Sequence, residues 1–171
     1  MPQLHPPRRA AVLVPIITVA GHNHAVFIER SQAVPVHQGD MAFPGGRHHP
    51  ERDQSLWATA LREAEEEIGL PAADVELLYA LPEVRTFSSN YVISPFVGRI
   101  AKPCEFRPDP REVARVVTLS VAALRDPRAH RTVRRRLSSG AEIDAPAFVV
   151  DSHVVWGATQ RITVELLRVL P

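Results

Sequence analysis

Residues 43–70, FPGGRHHPERDQSLWATALREAEEEIGL, decide how this chain is read. The second half of the stretch has a helical period. Leu56, Ala60, Leu61, Ala64 and Ile68 fall on one face, which predicts an amphipathic helix over 55–68. Asp53 or Ser55 suits its N-cap, and Gly69 followed by Pro71 is a stop signal. Its last turns carry Glu63, Glu65, Glu66 and Glu67. Glu66 and Glu67 follow Glu63 by three and four residues, so these three share a face. Like charges stacked this way destabilise a helix, and negative charge near its C-terminus opposes the macrodipole. A divalent cation, which prefers oxygen ligands, would offset both penalties.

On the N-terminal side, residues 1–9 are Pro-rich and read as a loosely held arm, followed by a single domain over 10–171. Residues 10–19 predict a buried strand, 21–24 a turn and 25–30 a second strand, together a hairpin. Residues 31–41 form a loop, and Phe43-Pro44-Gly45-Gly46 a tight one. Beyond the helix, strands are expected near 75–80, 91–100 and 112–119, with a helical turn at 121–125. Two more strands, 129–136 and 147–150, flank a turn at 138–140, and a closing helix over 154–170 turns Ile162, Leu166 and Leu167 inward. Strands thus flank and outnumber two substantial helices. The class is α/β (α+β), with a mixed sheet sandwiched between helices.

Composition narrows the function. The 171 residues suffice for one domain with a sizeable core. A net charge of +1 lacks the basic excess of a nucleic-acid binder. No apolar run reaches the length of a membrane span. The run at 12–19 is interrupted by Pro15 and is β-rich, so it reads as a first core strand rather than a leader, and the expected location is cytoplasmic. Cys104 is alone, which excludes a disulfide framework and a Cys-based zinc site. Lys102 is the only lysine. Arginine forks suit phosphate, although a coding bias produces the same composition. A homodimer through a sheet edge or the N-terminal arm is also expected.

The run Arg62-Glu63-Ala64-Glu65-Glu66-Glu67-Ile68-Gly69-Leu70 resembles the core of the Nudix box, R-E-U-x-E-E-x-G-U with U apolar, at every specified position. Pro44-Gly45-Gly46 is similar to the loop that precedes the box. The box's upstream Gly and Glu positions are held by His48 and Gln54, and Asp53 is the carboxylate placed to substitute. The resemblance implies a Nudix-type α/β/α sandwich with a mixed central sheet. It also implies hydrolysis of a diphosphate by Mg²⁺ or Mn²⁺ held on Glu63, Glu66 and Glu67, with the Gly45 carbonyl as a further ligand. Arg62 would orient the glutamates, and Glu65, at the variable position, would be solvated. Glu112 and Glu83 are the candidates for a later carboxylate acting as base, and each can equally be an ordinary surface residue.

A wider resemblance points to a subgroup. Arg30-Ser31, His37-Gln38-Gly39 and Phe43 to Gly46 resemble the signature of Nudix coenzyme A pyrophosphatases. Leu81-Pro82, Ser94-Pro95-Phe96-Val97-Gly98, Glu112-Val113 and Val155-Trp156-Gly157-Ala158-Thr159 extend it over nearly the whole chain. Pro35 stands where the signature commonly has a basic residue, and Asp40 where it has Glu. The implied reaction cleaves CoA, acyl-CoA or oxidised CoA to 3′,5′-ADP and a 4′-phosphopantetheine product. Substrate would contact Arg30, His37, Gly39, Phe43, Gly46, Arg85 and Tyr91. Arg30, Arg85 and the arginines of 131–136 are candidates for the 3′-phosphate, the latter also reading as a solvated strand face. Phe87 and Tyr91 can stack on adenine or pack in the core. His37 can bind substrate or order its loop. His48 and His49 are remote candidates for metal. Two other readings keep the fold: a pyrophosphatase for ADP-ribose, a dinucleotide or another nucleoside diphosphate derivative, and a binding module without catalysis.

Overall fold

The structure is a computed structural model that describes residues 6–35, 38–86, 89–102, 104–137 and 139–171. Strand β1 (Arg8–Val19) turns through Ala20 and Gly21, both at positive φ, into β2 (His22–Arg30), forming the expected hairpin. The strand starts at Arg8, so Arg8 and Arg9 belong to the sheet and not to an arm; the Arg8 N–H donates to the Asn90 carbonyl at 2.9 Å. Two short strands, β3 (Met41–Ala42) and β4 (Gly45–Arg47), precede helix α1 (Leu56–Ile68). Next come β5 (Val75–Ala80), β6 (Val84–Arg85), β7 (Tyr91–Ile100), β8 (Val113–Ser120) and the short helix α2 (Val121–Arg125). The chain ends with β9 (His130–Arg136), β10 (Glu142–Val150), β11 (His153–Trp156) and helix α3 (Gly157–Val169).

The central pairing is β1 with β7, parallel, from Arg8 opposite Tyr91 to Ile16 opposite Arg99. Around it the main sheet has the order β3-β2-β1-β7-β5, with β4 on β1, β6 on β7 and β8 on β2. All of those pairings are antiparallel, so the sheet is mixed. β9, β10 and β11 form a separate antiparallel sheet. Two expectations are corrected here. Residues 153–156 are a strand paired to β10, and the closing helix begins only at Gly157. β10 starts at Glu142, where Glu142, Ile143 and Asp144 are exposed and so carry no apolar pattern to announce a strand.

Alternation along β1 separates two cores. Ala11 and Leu13 face the α1 layer, with Ile28, Ala60, Ala64, Ile68 and Val113. Val14 and Ile16 face the opposite layer, with Phe27, Phe43, Phe148, Ile162 and Leu166. The main sheet thus lies between α1 and the layer of α2, α3 and the small sheet.

Helix α1 ends as its sequence demands. Ser55 is the N-cap, and its hydroxyl accepts the Ala58 N–H at 3.0 Å. Gly69 takes the left-handed conformation at φ 67°, donating to the Glu65 carbonyl, while Leu70 donates to Ala64. The last two carbonyls are met from outside the helix. Arg107 N–H donates to Ile68 at 2.8 Å, and Asp109 N–H to Glu67 at 2.9 Å. The loop before β8 is therefore bound to the end of α1.

A side chain at Gly69 would be strained twice, by its φ and by a Cβ approach of 3.1 Å to Arg107 Cβ. Gly69→Ala should lower unfolding free energy by about 1–2 kcal/mol in urea titrations, without loss of the folded baseline.

Candidate functional site

The site forms where the end of α1 meets the β3–β4 loop and the start of β8. Each carboxylate there has a different environment. Glu67 is 3% exposed. Its Oε2 accepts the Gly45 N–H at 2.9 Å, yet burial and the charges of Glu63 and Glu112 push its pKa up to about 8. Glu63 is also raised, first by burial and then by Glu66 and Glu112, against the pull of Arg62. Gly46 lies flat on the Glu63 carboxylate: a Cβ there would sit 2.5 Å from Glu63 Cδ. Gly45 is equally confined, with a Cβ site 2.4 Å from the Ala11 carbonyl oxygen. The two glycines let backbone pass between β1 and the glutamates.

Glu66 is half exposed and turned toward cations, with Arg62 at 3.2 Å and Arg52 at 3.5 Å. Among the described residues no three His, Cys, Asp or Glu groups form a ready-made metal cage. Glu63 and Glu67 lie side by side at the Gly45–Gly46 backbone, the Glu112 charge acts on both, and Glu66 is held one arginine away. All are hard oxygen donors. Two of them have pKa values raised partly by mutual repulsion, and a divalent cation fits that set. Glu65 is exposed, as expected.

Arg62 is the organising cation. Its Nε and one terminal nitrogen donate to the two oxygens of Asp53 at 2.8 and 3.1 Å. The other terminal nitrogen reaches Glu63 at 2.8 Å and Glu66 at 3.2 Å. Asp53 is 5% exposed, accepts further bonds from the Thr59 hydroxyl at 2.8 Å and the His49 N–H at 3.2 Å, and is held well below the usual carboxylate range by Arg62. Both of its oxygens are committed to Arg62, Thr59 and His49. Asp53 therefore anchors Arg62 and is not a further carboxylate facing the others. It is not the N-cap either.

His48 also belongs to this network. The Thr59 hydroxyl proton is directed at Asp53, so the 2.8 Å contact between His48 Nδ1 and the Thr59 oxygen has the imidazole as donor. His49 pairs with Glu51 at 3.2 Å. Among the described residues the side-chain partners of these histidines are Thr59 and Asp53 for His48 and Glu51 for His49.

Other expected site residues lie elsewhere. Phe43 is 3% exposed and stacks on Phe27 with centroids 4.5 Å apart, so it is core rather than a substrate contact. Gly39 occupies a turn at φ 69°, its N–H donating to the Arg30 carbonyl. Glu83 pairs with Arg9 and accepts from the Ser94 hydroxyl at 2.9 Å, which removes it from the carboxylate group. Arg85 is exposed and Tyr91 half-buried, both toward the Arg8 end of β1, with Arg8 6.0 Å from the Tyr91 ring centre. Arg134 pairs with Asp144 on the face of the small sheet. The Cys104 thiol is pushed up by burial and is not activated. His37 and Phe87 lie outside the described residues.

One contact was not foreseen. Asp40 Oδ1 accepts from Arg135 at 2.6 Å and from Trp156 Nε1 at 3.0 Å, and the Arg135 guanidinium lies 4.7 Å from the Trp156 ring centre. Asp40, which stands where the quoted signature has Glu, and Trp156 of its last fragment meet in that hydrogen bond across 116 residues.

Known proteins share the fold. The NUDIX domain family model matches residues 7–138. An uncharacterized Nudix hydrolase, NudL, of Photorhabdus laumondii is 35% identical over 163 residues, covering 94% of this chain and 84% of that protein. A NudL of Yersinia pestis is 43% identical over 107 residues, covering 63% of this chain and about half, 52%, of that protein. Among solved structures, a MutT/nudix family protein from Enterococcus faecalis superposes with TM-score 0.65 at 18% identity, over 99% of this chain and 64% of that one. A Nudix hydrolase from M. smegmatis, RenU, gives 0.59 at 20% identity over 72% and 76%. Among the described residues no helix is long and apolar enough to cross a membrane.

Removing Asp53 leaves Arg62, 20% exposed at its side chain, without its buried partner. Asp53→Ala should cost about 3–5 kcal/mol of stability. The pH dependence has a definite sign. A carboxylate whose folded pKa is depressed stabilises above its unfolded value, 3.8, and loses that contribution as pH falls through the folded pKa. The stability gap between wild type and Asp53→Asn should be flat at neutral pH and close only in strong acid, as followed by denaturant titration across pH.

Proposed function

This chain belongs to the Nudix family, and from that premise we propose that it hydrolyses the diphosphate linkage of coenzyme A or a CoA derivative, releasing 3′,5′-ADP and a 4′-phosphopantetheine product. The observation that carries the hydrolytic part is the packing of Glu63 and Glu67 against the Gly45–Gly46 backbone, within reach of the Glu112 charge. CoA is favoured by the resemblance at 30–31, 37–39, 43–46 and 155–159; Asp40, where the signature has Glu, accepts a hydrogen bond from Trp156 of the last of these.

Glu63, Glu66 and Glu67, with the Gly45 carbonyl, are the residues that would hold Mg²⁺ or Mn²⁺. Such ions supply neutralisation of phosphate charge and a more acidic attacking water. The chain's own residues do the rest. Arg62, fixed from behind by Asp53, keeps Glu63 in place and holds the half-exposed Glu66, which would be free to serve as a ligand to the ion. The Gly45 N–H holds the Glu67 carboxylate in one orientation. Glu112 accepts the proton of the attacking water. The water oxygen bonds to one phosphorus, the bridging P–O bond breaks, and the departing phosphate takes the electron pair.

A second reading keeps the chemistry and changes the substrate to ADP-ribose or another nucleoside diphosphate derivative. The Nudix domain of Shewanella oneidensis NrtR, solved in complex with ADP ribose, has a related fold at TM-score 0.54 and 15% identity. A binding module without catalysis is disfavoured by the intact glutamate trio.

The deciding experiment is a hydrolysis screen with CoA, acyl-CoA, ADP-ribose and NADH, each with Mg²⁺ and Mn²⁺. CoA or acyl-CoA should be turned over fastest; a strong preference for ADP-ribose would overturn the CoA reading. Glu67→Gln should abolish turnover and keep the fold. With its pKa raised to about 8, Glu67 takes up a proton near neutral pH, so Mn²⁺ binding should release protons in buffer-dependent calorimetry, and the Glu67→Gln variant should release fewer.

Gly46→Ala tests the close approach to Glu63. The clash falls on the end of a flexible side chain, so the protein should fold with near-normal stability. Displacing Glu63 by an ångström should lower kcat/KM about a hundredfold in steady-state assays.

A further inference from the structure

Strand β2 ends in a side chain that the carboxylates do not account for. Arg30 follows Ile28 by two residues, so it shares the face that Ile28 packs into the α1 layer. At this point the ladder to β8 slips. Glu29 lies opposite Arg115 and Arg30 opposite Val113, which leaves Ala114 as an extra residue. A bulge of this kind re-aims the side chains beside it. The change of face is visible in the core, since Val117 packs in the α3 layer and Val113 in the α1 layer. One residue further, Ser31 N–H donates to the Glu112 carbonyl at 2.8 Å. The bulge thus delivers Arg30 and Glu112 together to the end of α1. Both act on Glu67, Glu112 as a repelling charge and Arg30 as an attracting one.

Arg30 is also unfinished. Its Nε is buried and donates to no acceptor among the described residues. A buried charged donor left in this way is unfavourable unless a ligand satisfies it. The other arginine at the site, Arg62, has its donors taken by Asp53, Glu63 and Glu66. The backbone of Arg30 is fixed on both sides, its N–H donating to the Asp40 carbonyl and its carbonyl accepting from Gly39, each at 3.0 Å. Asp40 is in turn held by Arg135 and Trp156.

We propose that Arg30 is the protein's direct contact for the scissile diphosphate, its guanidinium donating to a phosphate oxygen beside Glu67, and not the contact for an outlying phosphate such as the 3′-phosphate of CoA. This rests on the diphosphate-hydrolase reading above. A group placed among the carboxylates that gather on the reacting phosphates serves every substrate alike.

The test uses the full chain with Arg30→Ala and Arg30→Lys. Binding of α,β-methylene-ADP, whose P–C–P bridge is not cleaved, is measured by calorimetry, and kcat/KM is measured with CoA and with dephospho-CoA. Arg30→Ala should weaken analogue binding about ten- to a hundredfold and lower kcat/KM by a common factor for both substrates. Unchanged analogue binding, or a loss confined to CoA, overturns the proposal. If thermal melting shows that Arg30→Ala does not fold, Arg30→Lys decides. Lysine keeps the charge and lacks Nε and the planar fork, so weakened analogue binding supports the contact and wild-type binding overturns it. A wild-type protein that binds the analogue in an Arg30-dependent way but cleaves neither substrate supports the contact and refutes the reaction.

Discussion

The bidentate pair between Arg62 and buried Asp53 is the constraint on which the acidic site depends. Three glutamates near the end of one helix repel one another and oppose the helix dipole. Without a fixed cation beside them, their rotamers would be set by repulsion alone. Arg62 supplies the cation, but an arginine is a flexible chain with considerable rotamer entropy. Asp53 removes that freedom with two hydrogen bonds from behind, and is itself held by Thr59 and the His49 amide. One buried anion therefore fixes one cation, which fixes Glu63 and holds Glu66 nearby. The charge pattern along α1 is tolerable because of a residue outside the helix.

The helix and its role in the fold were legible because both depend on local chemistry. Apolar residues at helical spacing, a Ser that can cap and a Gly that can adopt positive φ act within a few residues of one another. The mixed sheet and sandwich followed from the order of elements. Legibility failed where the deciding partner was distant. Val154-Val155-Trp156 is apolar and precedes a helix, so it read as that helix's first turn, but its hydrogen bonds go back to β10. Phe43 sits in a loop sequence yet stacks on Phe27, a contact that no local pattern announces.

The same distinction runs through the site. That Glu63, Glu66 and Glu67 share a face could be taken from their spacing, because a helix fixes which residues lie together; a role as metal ligands was implied only by the resemblance. The role of Asp53 could not be taken from spacing. Residues 47–54 are irregular, and a shift of one position in a loop leaves open whether a carboxylate faces the other glutamates or the arginine. The choice between Glu83 and Glu112 had the same character. Each follows or precedes a strand, and only the pairing of Glu83 with Arg9 and Ser94, against the tether of the 107–109 loop to the end of α1, separates them.

That tether links stability to chemistry. The end of a helix leaves carbonyls without intrahelical partners. Here Glu67 and Ile68 give theirs to Asp109 and Arg107, so the helix terminus is completed by the loop that carries Glu112. The bulge in β8 follows at once and turns the strand so that Arg30 and Glu112 approach the same carboxylate. Capping the helix and assembling the acidic site are therefore one structural event. A change that frees the 107–109 backbone would both fray the last turn of α1 and release Glu112, and no substitution confined to α1 could restore the second. This coupling explains how a site made of mutually repelling groups can be held on a short helix: Glu63 and Glu66 are held by Arg62, Glu67 is oriented by the Gly45 N–H, and Glu112 is placed by backbone hydrogen bonds that the fold needs in any case.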